Sequence, residues 1–544
     1  MQVKEVKKLP AARSCLFGTR LDKKQIDKPL IAIFYSQNEI TPGHLHLEDL
    51  AAYIQRGIAE AGGCGIRMNA GIGVCDGIAM GHDGMKYSLP SRELNRDCVV
   101  DMVMSHGIFE GLVFIGACDK NIPGYLMAAA NLDLPTIFVT TGPMMPGTIS
   151  GECVDVVTSF SADAQYALGK ISTQEYENII EESCPTCGSC AGLFTANSMA
   201  CVTEALGLTI PYMATTHAVD NKKYRLATES GRRIMHLIEK KITAKAVMTE
   251  KAFYNALAVD MAIGASTNTV LHVPAIAKEA GIILDLDRIN DISARTPNIL
   301  KLSPASRFRM VDFDRAGGIP LVMSRLKSLL HLDVITVTGP LNERLKMVLD
   351  HEKTDVIKNI KEPYSKTGGI AVYRGNLAPS GSVIKESAVH PSVPTEFEGT
   401  ARVFNDESDA TRYIKSGQIQ KGDILIIRYE GPAGGPGMRE MLYPTSSISG
   451  LGLEKEVALI TDGRFSGGTA GICIGHVEPE AYIGGPIALV QTGDKITINR
   501  KTREINLLIS ETEFAKRKQD WKRVEKPADT SLLQNFRNKF TEKS

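Results

Sequence analysis

Short apolar runs alternating with helix-spaced segments dominate the first two-thirds of the chain. Ile31-Ala32-Ile33-Phe34 follows Pro29 as a strand, and Leu47 to Ala61 spaces its apolar residues along one helix face. Leu112-Val113-Phe114-Ile115 reads as a buried strand, Ile122 to Leu132 as a helix, and Thr136-Ile137-Phe138-Val139 as the next strand. Strand, helix, strand at this spacing predicts parallel βαβ units with helices on both sheet faces. In such a sheet, ligands gather at the carboxyl ends of the strands.

The pattern changes beyond a polar, proline-containing stretch from Lys358 to Thr367. Asp423 to Tyr429, Val457 to Thr461, Lys495 to Asn499 and Glu504 to Ile509 are short, β-branched and set off by Gly-rich turns. The expected organisation is therefore α/β. An α/β/α domain with a largely parallel sheet covers 1–362, and a smaller β-rich, β-barrel-like domain covers 363–544. The charged residues from Glu513 onward predict a terminal helix and a loose tail. The uncharged run between Asp133 and Glu152 carries Pro135, Pro143 and Pro146, which predicts strand and loop, not a membrane span.

Charge narrows the function classes. Among 544 residues, 62 Lys and Arg balance 62 Asp and Glu, so no overall field gathers nucleic acid or an anionic membrane. The first residues lack the apolar stretch of a signal peptide. Eleven cysteines, an odd number, argue against a disulfide framework and for a reducing, cytoplasmic setting.

Four segments could carry chemistry. Cys184-Pro-Thr-Cys187-Gly-Ser-Cys190 offers three thiols at two-residue gaps, a spacing suited to iron–sulfur or zinc, or else to small core residues in a turn. Cys118-Asp119-Lys120 directly follows a predicted strand and puts soft and hard ligands side by side. Cys75-Asp76, followed by His82 among glycines, offers another oxygen ligand and a candidate acid, base or hydrogen-bonded loop residue. Two Gly-rich stretches contain Glu440 and Ser466, and their backbone N–H groups could hold a carboxylate or phosphate. Neither is a Walker loop or a dinucleotide turn, and Ser466 is not in a G-x-S-x-G elbow. Together these groups suit Lewis-acid chemistry on a small, oxygen-rich molecule.

The segments Asp76-Gly-Ile-Ala-Met-Gly-His82, Tyr87-Ser-Leu-Pro-Ser-Arg-Glu93, Cys118-Asp-Lys120, Cys184 to Cys190 with Thr195-Ala-Asn-Ser-Met199, Gly264-Ala-Ser-Thr-Asn-Thr269, Gly434-Gly-Pro-Gly-Met438 with Glu440, and Asp462-Gly-Arg-Phe-Ser466-Gly-Gly468 carry a resemblance. On them, nearly the whole chain resembles the dihydroxy-acid dehydratases of the larger sugar-acid and dihydroxy-acid dehydratase family. The resemblance implies that Cys118 and Cys190 bind an iron–sulfur cluster. It implies that Asp76, Asp119, Glu440 and a carbamylated Lys120 bind Mg²⁺, and that Ser466 is the general base. The implied substrates are 2,3-dihydroxy-3-methylbutanoate and its methylpentanoate homologue, the valine and isoleucine precursors, and the product is a 2-oxo acid. A homodimer without nucleic-acid or membrane partners is expected.

Two positions depart from the family pattern. Gly43 stands where three-cysteine [2Fe–2S] members carry a thiol, and Cys75 stands where many members have a second Asp. The cluster is therefore either [2Fe–2S] or an oxygen-labile [4Fe–4S], with Cys187 or Cys184 as a possible third ligand. Two alternatives are a sugar-acid or phosphogluconate dehydratase of the same family and a non-catalytic iron–sulfur protein. Retention of Ser466, Glu440 and Lys120 argues against the second.

Overall fold

A computed structural model describes residues 3–349 and 354–541 of the chain. Near its start, Leu30–Tyr35, Cys64–Asn69, Gly111–Gly116 and Thr136–Thr140 form a four-stranded sheet. All three pairings are parallel, with Leu30–Tyr35 between Cys64–Asn69 and Gly111–Gly116.

Alternation along these strands sorts the core. Ile31, Ile33, Val113, Ile115, Ile137 and Val139 face one side and pack on Leu47, Leu50, Ile54 and Ile58 of the Leu47–Glu60 helix. Leu30, Ala32, Phe34, Leu112, Phe114 and Phe138 face the other, against the Asn121–Leu132 and Glu250–Ile263 helices. Both faces are covered, which is why the strands read as continuous apolar runs rather than alternating ones. The expected α/β/α arrangement with a parallel sheet is what forms. The Cys64–Asn69 strand had no expectation in the sequence; Arg67 and Asn69 interrupt its apolar pattern.

Farther along, eight strands form one mixed sheet. Its middle strands, Glu396–Phe404, Asp423–Ile427, Ala458–Thr461 and Ile472–Glu478, pair in parallel. Antiparallel strands flank them: Lys495–Asn499 and Glu504–Leu507 on one side, Gly381–Ile384 and Ala371–Tyr373 on the other. An isolated bridge between Arg374 and Glu504 brings the two edges together. The sheet is thus a nearly closed barrel, as expected. Ile424, Ile426, Ile460, Ile472 and Ile474 fill its interior. Leu425, Ile427, Leu459 and Cys473 point outward onto the Glu407–Lys415 and Tyr443–Gly450 helices.

The expected loose tail is corrected. After the Glu511–Asp520 helix, Ser531–Thr541 forms a second one. Its Leu533 and Phe536 are buried, Phe536 against Leu89 and Met438, so apolar contact holds it across both halves. The uncharged run after Asp133 is strand and loop, and among the described residues no helix is long and apolar enough to cross a membrane.

Candidate metal centre

Loops at the carboxyl ends of parallel strands build the site. The Leu30–Tyr35 strand leads to Gly43, Cys64–Asn69 to Cys75 and Asp76, and Gly111–Gly116 to Cys118, Asp119 and Lys120. In the barrel, a two-residue parallel ladder pairs Glu440 with Arg464 and Met441 with Phe465. That ladder places Glu440 and, one residue past its end, Ser466.

A cavity of about 90 Å³ joins these loops. Cys75, Cys118, Cys184, Cys190, Asp76, Asp119 and Ser466 all line it. Met80, Val156, Val157, Phe160, Phe194 and Leu442 give it an apolar wall, and among the described residues no lysine or arginine lines it. Cys187, expected as a possible third cluster ligand, does not line this cavity, whereas Cys184 does. The turn at Gly188, with φ +125°, separates Cys187 from Cys190. The Gly188 amide donates to Pro42 O at 3.1 Å, tying the cysteine-rich loop to the Gly43 loop. Asn197 Nδ2 donates to Cys190 O and Gly192 O, fixing the backbone beside Cys190.

Beside the cavity sits a dense charge cluster. Carboxylate oxygens of Asp76, Asp119 and Glu440 all lie within 4.8 Å of one another. Lys120 Nζ is 2.6 Å from Asp76 Oδ2, 3.2 Å from Glu440 Oε2 and 3.8 Å from Asp119 Oδ2. Arg464 Nη1 meets Glu440 Oε2 and Asn268 Oδ1, each at 2.7 Å. Ser88 Oγ donates to Asp76 Oδ1 at 2.6 Å. Three carboxylates thus face two cations, one of which, Lys120, is only 2% exposed.

The electrostatics are unbalanced at Asp119. Burial raises its pKa, and the negative charge of Asp76 raises it further, more than Lys120 can offset. Asp76 behaves oppositely. Burial opposes its ionisation, but the charge and hydrogen bond of Lys120 outweigh it and hold the pKa below the usual value. Asp76 and Glu440 in turn keep Lys120 protonated against burial. Burial pushes the Cys118 and Cys190 thiols well above their ordinary range.

This donor set fits two metal groups. Among the described residues Glu440 Oε1 is buried with no hydrogen-bond partner, and the place that the Lys120 nitrogen takes among three close carboxylates is one a hard divalent ion would suit. Four thiols around one cavity suit a soft, thiolate-bound group, which lowers a thiol pKa outright.

Other expectations resolve differently. His82 is a hydrogen-bonded loop residue: Nε2 meets Ile78 O at 2.9 Å and Nδ1 accepts from the Gly84 amide. The amides of the long glycine loop hold carboxylates, but the protein's own. Asp462 accepts from Tyr429, Glu430 and Ala481, and Glu480 accepts from Ala433 and Gly434. Arg464 and Asn268 had no role in the sequence reading, although both sit within its quoted segments.

Comparison with known proteins bears on this site. Residues 28–344 match the family described as Dihydroxy-acid/6-phosphogluconate dehydratase N-terminal, and 355–544 the corresponding C-terminal family. A protein of Caldanaerobacter subterraneus named dihydroxy-acid dehydratase is 50% identical, covering 97% of this chain and 95% of that one. Proteins of the same name from Methanosarcina barkeri and Pyrococcus abyssi are each 50% identical. They cover 95% and 92% of this chain, and 94% and 91% of their own lengths.

Proposed function

This chain belongs to the dihydroxy-acid/6-phosphogluconate dehydratase family and is a hydro-lyase, and from that premise we propose that it dehydrates 2,3-dihydroxy-3-methylbutanoate and its methylpentanoate homologue to 2-oxo acids. The observation that carries the reading is that one cavity is lined by thiols, carboxylates, the Ser466 side chain and an aliphatic wall. Branched methyl groups suit Val156, Val157 and Leu442. A phosphorylated sugar acid would want basic side chains, and none of the described ones lines the cavity.

In this reading Cys118 and Cys190 hold an iron–sulfur cluster, and Asp76, Asp119 and Glu440 hold Mg²⁺. When bound, the two groups would supply Lewis acidity toward the substrate's carboxylate and hydroxyl oxygens. Lys120 joins the magnesium ligands as a carbamate: the ammonium gives up one proton, its Nζ then forms a bond to carbon dioxide, and a second proton leaves as the carbamate anion forms. That exchanges an ammonium, which occupies the cation's place between Asp76 and Glu440, for an anionic oxygen ligand. Ser466, as an alkoxide, takes the proton from C2 at Oγ. The C2–H electron pair becomes the C2–C3 double bond as the 3-hydroxyl departs as hydroxide, which the transferred proton converts to water, leaving the alkoxide restored. The enol then takes a proton at C3 and gives the 2-oxo acid. A serine hydroxyl serves as base only where nearby positive charge lowers its pKa, and the Asp76–Asp119–Glu440 cluster is where that charge would be held.

A reducing cytoplasmic setting and a homodimer complete the proposal; cell fractionation and size-exclusion chromatography test them. The chemistry is tested by incubating anaerobically purified protein with Mg²⁺ and each dihydroxy acid while following the oxo acid. Ser466→Ala should keep wild-type iron and lose turnover. Wild-type turnover by Ser466→Ala, or preference for 6-phosphogluconate, would overturn the reading.

A further inference from the structure

Two thiols do not complete a cluster site, and Gly43 offers none. A Cβ placed on Gly43 would lie 3.1 Å from Cys118 Sγ, so position 43 adjoins that sulfur but supplies only a hydrogen. The missing ligand must come from elsewhere in the cavity. Cys187 lies outside its lining, which leaves Cys75 and Cys184.

Exposure and position in the site separate these candidates. Cys184 is an exposed residue, whereas Cys75 is half-buried. Cys75 immediately precedes Asp76, at the start of the short Asp76–Ala79 helix. The Asp76 carboxylate lies within 4.8 Å of that of Asp119, the residue after Cys118. Cys75 is therefore the candidate tied to the Cys118 loop. One loop would then supply a soft ligand to one metal group and a hard ligand to the other.

Resting on the proposed cluster in this cavity, we propose that Cys75 is its third protein ligand, compensating for the absent thiol at Gly43. Ligation exchanges the Cys75 S–H bond for an S–Fe bond; the proton leaves to solvent and no electron moves. Cys184 then lines the cavity without a bond to the cluster.

The test uses full-length protein purified anaerobically, with iron and sulfide counted per chain and electron paramagnetic resonance recorded on the reduced state. Cys75→Ser should lose at least about tenfold in iron retained through desalting, the lower end of what even ligand-orienting partners cost. Cys184→Ser and Cys187→Ser should keep wild-type iron and an unchanged spectrum. Cys75→Asp serves if the serine variant does not fold: either iron loss or shifted g-values supports the assignment. Wild-type iron with an unshifted spectrum in either Cys75 variant overturns it, as does iron loss confined to Cys184→Ser. Failure of the cluster reading itself looks different, because the wild-type protein would then hold no iron.

Discussion

The two ends of the site treat buried carboxylates in opposite ways. Against the glycine loop of the barrel half, Asp462 and Glu480 are buried, yet each accepts two or three backbone amides. On the α/β side, Asp119 is half-buried, and both the loss of solvent and the neighbouring charge of Asp76 act against its ionisation. Cys118 and Cys190 are likewise held as thiols by burial. A buried group whose partners are all present is scaffold; one left short of positive charge or of a proton acceptor marks a place for a ligand. Lys120 joins the two ends, since its nitrogen bridges Asp76 and Glu440.

The hardest blow to this arrangement is Arg464→Met. Arg464 is fully buried, and its loss leaves Glu440 facing Asp76 and Asp119 with Lys120 as the remaining cation. Removing one partner of a buried ion pair costs about 3–5 kcal/mol, so the thermal midpoint should fall by several degrees even in chelator. A midpoint equal to wild type would mean that the carboxylates do not depend on that guanidinium.

Asp462→Asn probes the satisfied end. The amide can accept from one or two of the three N–H groups, but its NH₂ then faces a donor. The expected loss is about 1–3 kcal/mol, the cost of a buried polar group left unpaired, measured by denaturant unfolding. If Asp462→Asn costs nothing, the amides of Tyr429, Glu430 and Ala481 are met by something other than this carboxylate, and the contrast with Asp119 collapses.

Legibility in the sequence followed the same division. Strands such as Leu112 to Ile115 were plain because continuous apolar runs between turn residues mean a doubly covered sheet. Cys118, Asp119 and Lys120 could be suspected because they follow such a strand. That Glu440 and Ser466 join them could not be read from spacing, since the pairing of Lys120 with Glu440 spans 320 positions; only the family resemblance suggested it. Arg464 was invisible as a partner for the same reason: Asn268 is 196 positions away. The choice between Cys184 and Cys187 was undecidable, because both share the same two-residue spacing, and the backbone turn at Gly188 that separates Cys187 from Cys190 leaves no mark in that spacing. The Ser531–Thr541 helix escaped because its buried Leu533 and Phe536 are few among charged neighbours.

A subtler effect should appear at Asp119 itself, in metal-free protein. Its folded pKa is raised above the unfolded value. Such a group contributes stability below the unfolded pKa and loses it as pH rises toward the folded one. Wild-type protein in chelator should therefore lose stability from this group as pH climbs from the ordinary carboxylate range toward the raised value. Asp119→Asn should lack that part of the slope. Other shifted groups, Glu407 and Lys385 among them, are common to both proteins and cancel in the difference. Saturating Mg²⁺ should reverse the order and stabilise the wild type more than Asp119→Asn, through binding to the folded state alone. Parallel midpoint-against-pH curves in chelator would show that Asp119 is already satisfied.

The smallest effect belongs to His82, and its smallness is informative. His82 lies in one of the family-like segments, only six residues beyond Asp76, yet it does not line the cavity. Its two ring nitrogens are used locally, on Ile78 O and the Gly84 amide, within an exposed loop. Surface changes of this kind fall within about 0.5 kcal/mol. His82→Ala should leave iron content and turnover at wild-type levels and move the thermal midpoint little. A large loss of turnover with the fold intact would mean that the cavity described here is incomplete on its Met80 side. The boundary between groups held for a ligand and groups held for the fold would then have to be redrawn to include His82.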